Sequence, residues 1–112
     1  MRLICELALP AEPSELAQLR HEVRSLGLVA DDEQIVLAID ELFTLALRSG
    51  ATSAVTRLFA DTGETSVSIA TDAPIALTPM VDSLTETILR HVAREWGRRS
   101  TVVGTEWWAT LR

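Results

Sequence analysis

Apolar and polar positions alternate over residues 2–9, RLICELAL, with Leu3, Cys5 and Leu7 on one side and Ile4 and Ala8 on the other. That period of two predicts a first strand, which Pro10 and Pro13 close. The period then lengthens. Leu16, Leu19, Val23 and Leu26 recur at helical spacing after a Pro13-Ser14 start with Glu15 in the first turn, and Gly27 marks the stop. A second helix starts at Asp31 or Asp32, either of which suits the positive end of its dipole. It runs to about Arg48 before Gly50, with Ile35, Val36, Ile39, Leu42, Phe43, Ala46 and Leu47 as a wide apolar face. Leu37 and Leu45 widen that face further, which makes this the most buried helix.

Alternation returns over about 52–60 and 65–71, and the Asp61-Thr62-Gly63-Glu64 turn between them signals an antiparallel hairpin. Residues 72–82, DAPIALTPMVD, hold two prolines and read as a loop. A third helix is expected over about 83–96, capped by Ser83 with Glu86 in the capping-box position. Its stripe is Leu84, Ile88, Val92 and Trp96, and Gly97 ends it. Residues 98–103, a turn at Gly104 and residues 105–111 form a last hairpin. The order βα-α-ββ-α-ββ predicts an α+β fold of two layers, a mixed and mostly antiparallel sheet covered on one face by three helices. All 112 residues read as one domain, without repeat, low-complexity tract or linker.

Composition narrows the function. An apolar content of 47% is ample for a packed core, and a chain of this length buries roughly 65% of its unfolded surface without a metal or disulfide staple. A net charge of −6 argues against nucleic-acid binding, which needs a basic field, but leaves room for a basic protein partner. The one cysteine, Cys5, fits a reducing cytoplasm and reads as a small apolar residue of the first strand. No apolar run approaches the ~18 residues of a membrane span, and the acidic N-terminus does not read as a signal peptide. All ten basic residues are arginine, so lysine chemistry is absent.

Four segments in order carry a resemblance. They are residues 9–28 with Arg20 midway, IDELFTLALRSGA at 39–51, HVAREWG at 91–97 and GTEWWATL at 104–111. The chain resembles the histidine-kinase-like (GHKL, Bergerat-fold) ATPases, in particular the bacterial branch of anti-sigma-factor serine kinases. In that family 39–51 would be the Glu-Leu-x-x-Asn-Ala box, 91–97 the last helix with the Trp-Gly that ends it, and 104–111 the final strand. The resemblance implies a nucleotide site, yet its atoms are missing here. The Asn that would hold Mg²⁺ is Leu45, which offers no oxygen to a hard cation. The adenine-reading Asp falls on Thr71, with Asp72 one residue late and so directed to the other face of a strand. Ala73-Pro74-Ile75 replaces the following glycines. The phosphate-approaching Gly-x-Gly falls on Ser83-Leu84-Thr85, where Leu84 puts a side chain in place of bare backbone. The loop that would close over ATP is short.

Glu41 aligns with the catalytic base of the family. Its other reading is a partly buried acid paired with Arg48 or Arg57, and Asp40 reads as a solvated or structural charge. His21 and His91 lack the further ligands a zinc site needs. No metal site is expected, and no nucleophile elbow exists. Arg90 and Arg94 fall one helical turn apart near a helix C-terminus, complementing its dipole or docking an acidic partner. Trp107 and Trp108 are adjacent in a strand, so one enters the core and the other lies on the open sheet face as an interface anchor. Arg20 and Arg24 lie on the helix that forms dimer and sigma-factor surfaces in the resembled branch. The expectation is a non-catalytic, dimeric regulator that binds a sigma factor or an anti-sigma antagonist without ATP. The rival is an active ATP- and Mg²⁺-dependent serine/threonine kinase with Glu41 as base.

Overall fold

A computed structural model describes residues 2–26, 32–75 and 81–112. The elements run β1 (Arg2–Pro10), α1 (Glu15–Ser25), α2 (Asp32–Arg48), β2 (Ser53–Asp61), β3 (Glu64–Thr71), α3 (Ser83–Val92), β4 (Ala93–Ser100) and β5 (Thr105–Leu111). The strands form one sheet in the order β1-β2-β3-β5-β4. Every pairing is antiparallel, so the mixed sheet expected from the sequence gives way to a purely antiparallel one. The helices pack on one face, over a core centred on Ile35, Ile39, Leu42, Phe43, Val67, Ile69, Leu89 and Trp107.

α2 earns its central place from its sequence. Leu42, Phe43, Leu45 and Ala46 are all fully buried, because the apolar positions wrap most of the helix circumference. Its end is a Schellman motif: Gly50 N donates to Leu47 O, and Ala51 N donates to Ala46 O. Gly50 sits at φ +78, where a side chain would be strained. The β2–β3 hairpin closes Asp61 against Glu64 in register, with Gly63 at φ +75 in the turn. α1 starts at Glu15, and the Ser14 side chain makes no cap bond. Gly27, Asp31 and the side chain of Asp32 lie outside the described residues, as do residues 76–80 of the expected loop.

Three expectations need correction. A bulge between Leu3 and Cys5 breaks the simple alternation of β1. Leu3 aligns with Phe59, whereas Cys5, aligned with Leu58, joins Leu7 and Leu9 beside the core. Next, α3 is capped by Asp82, whose carboxylate accepts from Thr85 N at 2.8 Å, and not by Ser83. Asp is as good a cap as Ser and also meets Arg48. The expected reach of Glu86 back to a Ser83 cap is replaced by an ion pair with Arg90.

The third correction is the largest. α3 ends at Val92, and residues 93–100 are strand β4 instead of the last turn of a helix. Ala93 is already extended, at φ −117 and ψ 138. Ala93 pairs with Leu111, Trp96 with Ala109 and Gly97 with Trp108. Arg94 therefore stands in β4, ion-paired with Glu64, and does not continue the helix face of Arg90. The Trp-Gly pair of 96–97 lies inside a strand and ends no helix.

Candidate functional site

The positions that the resemblance would give to a nucleotide, Leu45, Thr71, Asp72 and Leu84, lie on α2, at the end of β3 and at the start of α3. Leu45 is fully buried in the core cluster. Its hydrocarbon has apolar neighbours and nothing to offer a cation. Thr71 is buried too. Its hydroxyl donates to Thr105 O at 3.1 Å and accepts from Ala73 N at 3.3 Å, while Thr105 Oγ1 donates to Ala73 O at 2.8 Å. These bonds tie the end of β3 to the start of β5. Gly104 seals the knot: a Cβ there would come 2.8 Å from the Asp72 carbonyl carbon, and closer still to Thr71 O.

Asp72 is exposed, as its register one step beyond Thr71 required. Its carboxylate accepts from Thr52 N at 2.8 Å and Ser53 N at 3.3 Å, and it also bonds the Thr52 hydroxyl. These bonds, those from Thr52 first, hold its pKa below that of an ordinary carboxylate. Its work is to fasten the α2–β2 turn to the end of β3.

The start of α3 is likewise taken. A helix N-terminus with bare amides is a ready anion site. Here Asp82 supplies the anion itself, accepting from Thr85 N and from Arg48 Nη1 at 2.9 Å. Both partners lower its pKa, Thr85 more than Arg48. Asp82 escaped the sequence reading, although VDSLTE offers Asp as well as Ser in cap position. Leu84 takes no part in the core. It is 69% exposed, because the first turn of α3 turns that position to solvent and puts Thr85 inward.

Glu41 is half-buried on α2. Neither arginine proposed as its partner meets it. Arg48 is drawn to Asp82, and Arg57 to Glu6 and Glu106. No hydrogen bond or ion pair engages Glu41 among the described residues. Its neighbour Asp40 is structural: Arg20 Nε and Nη2 grip it in a forked pair at 2.9–3.2 Å, which locks α1 to α2. The same carboxylate raises the Arg20 pKa. Arg24 makes only a 3.5 Å contact with exposed Glu33 and remains a solvent-facing cation. Cys5 is partly buried, and desolvation followed by the nearby Glu22 charge raises its pKa, against a reactive thiol.

The two tryptophans divide as strand geometry demands. Trp107 is 1% exposed and lies in the core, so it is the tryptophan that sits under the helices. Trp108 lies half-buried on the opposite face, laid against Gly97, with the Arg99 guanidinium 5.4 Å from its ring centroid. Beside it a row of charges crosses that face. Glu6 pairs with Arg57 at 3.0 Å, Arg57 reaches Glu106 at 4.0 Å, and Glu106 pairs with Arg99 at 2.8 Å.

Elsewhere, Pro74, Ile75 and residues 100–104 line a cavity of about 280 Å³ that carries no charged side chain. The described residues hold no group of three acids, histidines or cysteines placed for a metal. No described helix is long and apolar enough to cross a membrane. No family model and no curated protein matches this sequence.

Proposed function

We propose that this chain is a non-catalytic regulatory domain with the layout of the histidine-kinase-like ATPases, which works in the cytoplasm by binding another protein and not by consuming ATP. The partner class suggested by the resemblance is a sigma factor or an anti-sigma antagonist, met by a homodimer of this chain. One observation carries the reading. Apart from exposed Leu84, each position that would serve the nucleotide is occupied by the protein's own contacts: Leu45 by the core, Thr71 by the start of β5, Asp72 by the turn that opens β2, and the α3 N-terminus by Asp82. An incoming triphosphate would have to displace a resident carboxylate at a helix N-terminus, where like charges repel.

Arg24 and Trp108 are the candidate partner-contact residues that remain accessible. Arg20 is partly exposed but engaged by Asp40. A second reading, an active serine/threonine kinase, draws on Glu41, which no described residue engages and which could act as a base.

Titration calorimetry with Mg·ATP separates the two. The pseudoenzyme gives no saturable heat up to about a millimolar, a ceiling that corresponds to about −4.1 kcal/mol of binding. Saturable binding below it, with phosphate transferred to a serine-bearing partner and lost in Glu41→Gln, would establish the kinase instead. Direct binding of the purified chain to sigma factors and antagonists from its own cell tests the partner class.

A further inference from the structure

We infer that the uncovered face of the sheet is the surface on which two copies of this chain pair, packed sheet against sheet about a two-fold axis running along β3. The inference rests on the dimeric part of the proposed function and is independent of whether ATP binds.

The charge row is the reason. From β1 to β4 it reads Glu6, Arg57, Glu106, Arg99, that is minus, plus, minus, plus. An alternating row of even length is its own complement when reversed. A two-fold axis along β3, the middle strand, lays β2 of one copy over β5 of the other and β1 over β4. Arg57 then approaches Glu106 of the second copy, and Glu6 approaches Arg99 of the second copy. The chain as a whole carries −6, so most faces of two copies repel one another. This row, with two acids and two bases, sums to zero and lets two acidic molecules meet.

Shape agrees with charge. Three of the four outward positions of β3 are small, Ser66, Ser68 and Ala70, and the fourth, Glu64 at its start, is neutralised by Arg94, while Phe59 on β2 and Trp108 on β5 stand on either side. Small residues along the axis allow two sheets to approach to the ~10 Å of ordinary sheet packing. The axis also sets Trp108, half-buried in one copy, near Arg57 of the second copy, a further cation–π partner for a ring already flanked by Arg99. Five strands ~4.8 Å apart and ~25 Å long give a face of about 600 Å² per copy. The resulting ~1,200 Å² in total lies at the small end of specific interfaces and predicts a micromolar, salt-sensitive dimer.

Sedimentation velocity on the purified full chain tests it, over about 1–200 µM to bracket that affinity. The wild type moves from monomer to dimer across the range. Arg57→Glu and Glu106→Arg each weaken association at least tenfold, since each sets like charges opposite one another. An equimolar mixture of the two variants recovers a dimer, because Glu at 57 then faces Arg at 106. Circular dichroism checks that each variant is folded. If Arg57→Glu is not, the outer pair Glu6→Arg and Arg99→Glu supports the same exchange. A wild type that stays monomeric, a single variant that dimerises like the wild type, or a mixture that fails to associate overturns the assignment. None of these outcomes depends on nucleotide, so a failure here leaves the ATP titration to judge the pseudoenzyme reading by itself.

Discussion

Leu45 shows how one residue closes a chemistry. It sits on the central helix with no solvent exposure, inside the apolar cluster of the core. Leu45→Asn restores the side chain that a metal would need, but into a dry site. We expect it to cost ~3 kcal/mol or more in urea unfolding, from lost apolar contact and an unsatisfied amide, and to gain no nucleotide binding. Gly104 is a second single-residue constraint. Gly104→Ala places a methyl group on backbone that cannot retreat, and an ~2–4 kcal/mol loss is expected. Gly97→Ala meets only the rim of the Trp108 ring, at 3.1 Å, and a ring can shift. Its cost should stay below that of Gly104→Ala in the same denaturant titration.

Between elements, two acids join segments that are remote in sequence. Asp72 fastens the β3 end to Thr52 and Ser53, and Asp82 links α3 to the last turn of α2 through Arg48. Hydrogen bonds from Thr52 lower the Asp72 pKa, and the Thr85 amide and then Arg48 lower that of Asp82. The sign follows from linkage. A carboxyl whose folded pKa is depressed adds stability above its unfolded pKa, and that stability is lost as pH falls through the folded value. Urea midpoints should hold from neutral pH to about pH 4, the unfolded carboxyl value, and then drop as the pH falls further. In Asp72→Asn and Asp82→Asn the midpoint at neutral pH should be lower and this acid drop shallower. A drop of unchanged depth in both variants would move its cause to other carboxylates. The Arg20–Asp40 fork joins α1 to α2 in the same manner, which is why a residue resembling a partner contact is already half-occupied.

For the whole molecule, the measurable consequence of a filled site is thermal. A ligand at about a hundred times its Kd adds ~2.7 kcal/mol to the folded state, enough to raise the melting midpoint of a domain this size by ~10 °C. Millimolar Mg·ATP should leave the midpoint of this protein where it is, in a melt followed by tryptophan fluorescence. A rise of several degrees would show that the Leu45 and Asp82 contacts yield to nucleotide. The same experiment across protein concentration should show the midpoint climbing, as mass action requires of a dimer.

Much of the fold was legible before any coordinate, because it rests on local rules. A period of 3.6 through residues 35–47 forces α2 into the core whatever surrounds it, and Gly50 and Gly63 mark turns that need positive φ. Adjacent tryptophans in a strand point apart, and Asp72, one step past Thr71, faces the other way unless a bulge intervenes. That Leu45 offers no oxygen to a hard cation needed only the sequence. Other features were decided by groups far apart along the chain. Residues 93–96 fit a helical stripe as well as a strand, and the ladder with β5 settles them as strand, because those backbone bonds come from residues 109–111. Which acid each arginine meets is equally non-local: Arg48 takes Asp82 and leaves Glu41 alone, and Arg57 finds partners in both β1 and β5. Periodicity determines which side of an element is buried. Only the assembled sheet and helices determine which charges lie within a few ångströms of one another, since Coulomb attraction falls with distance in space and is blind to distance in sequence.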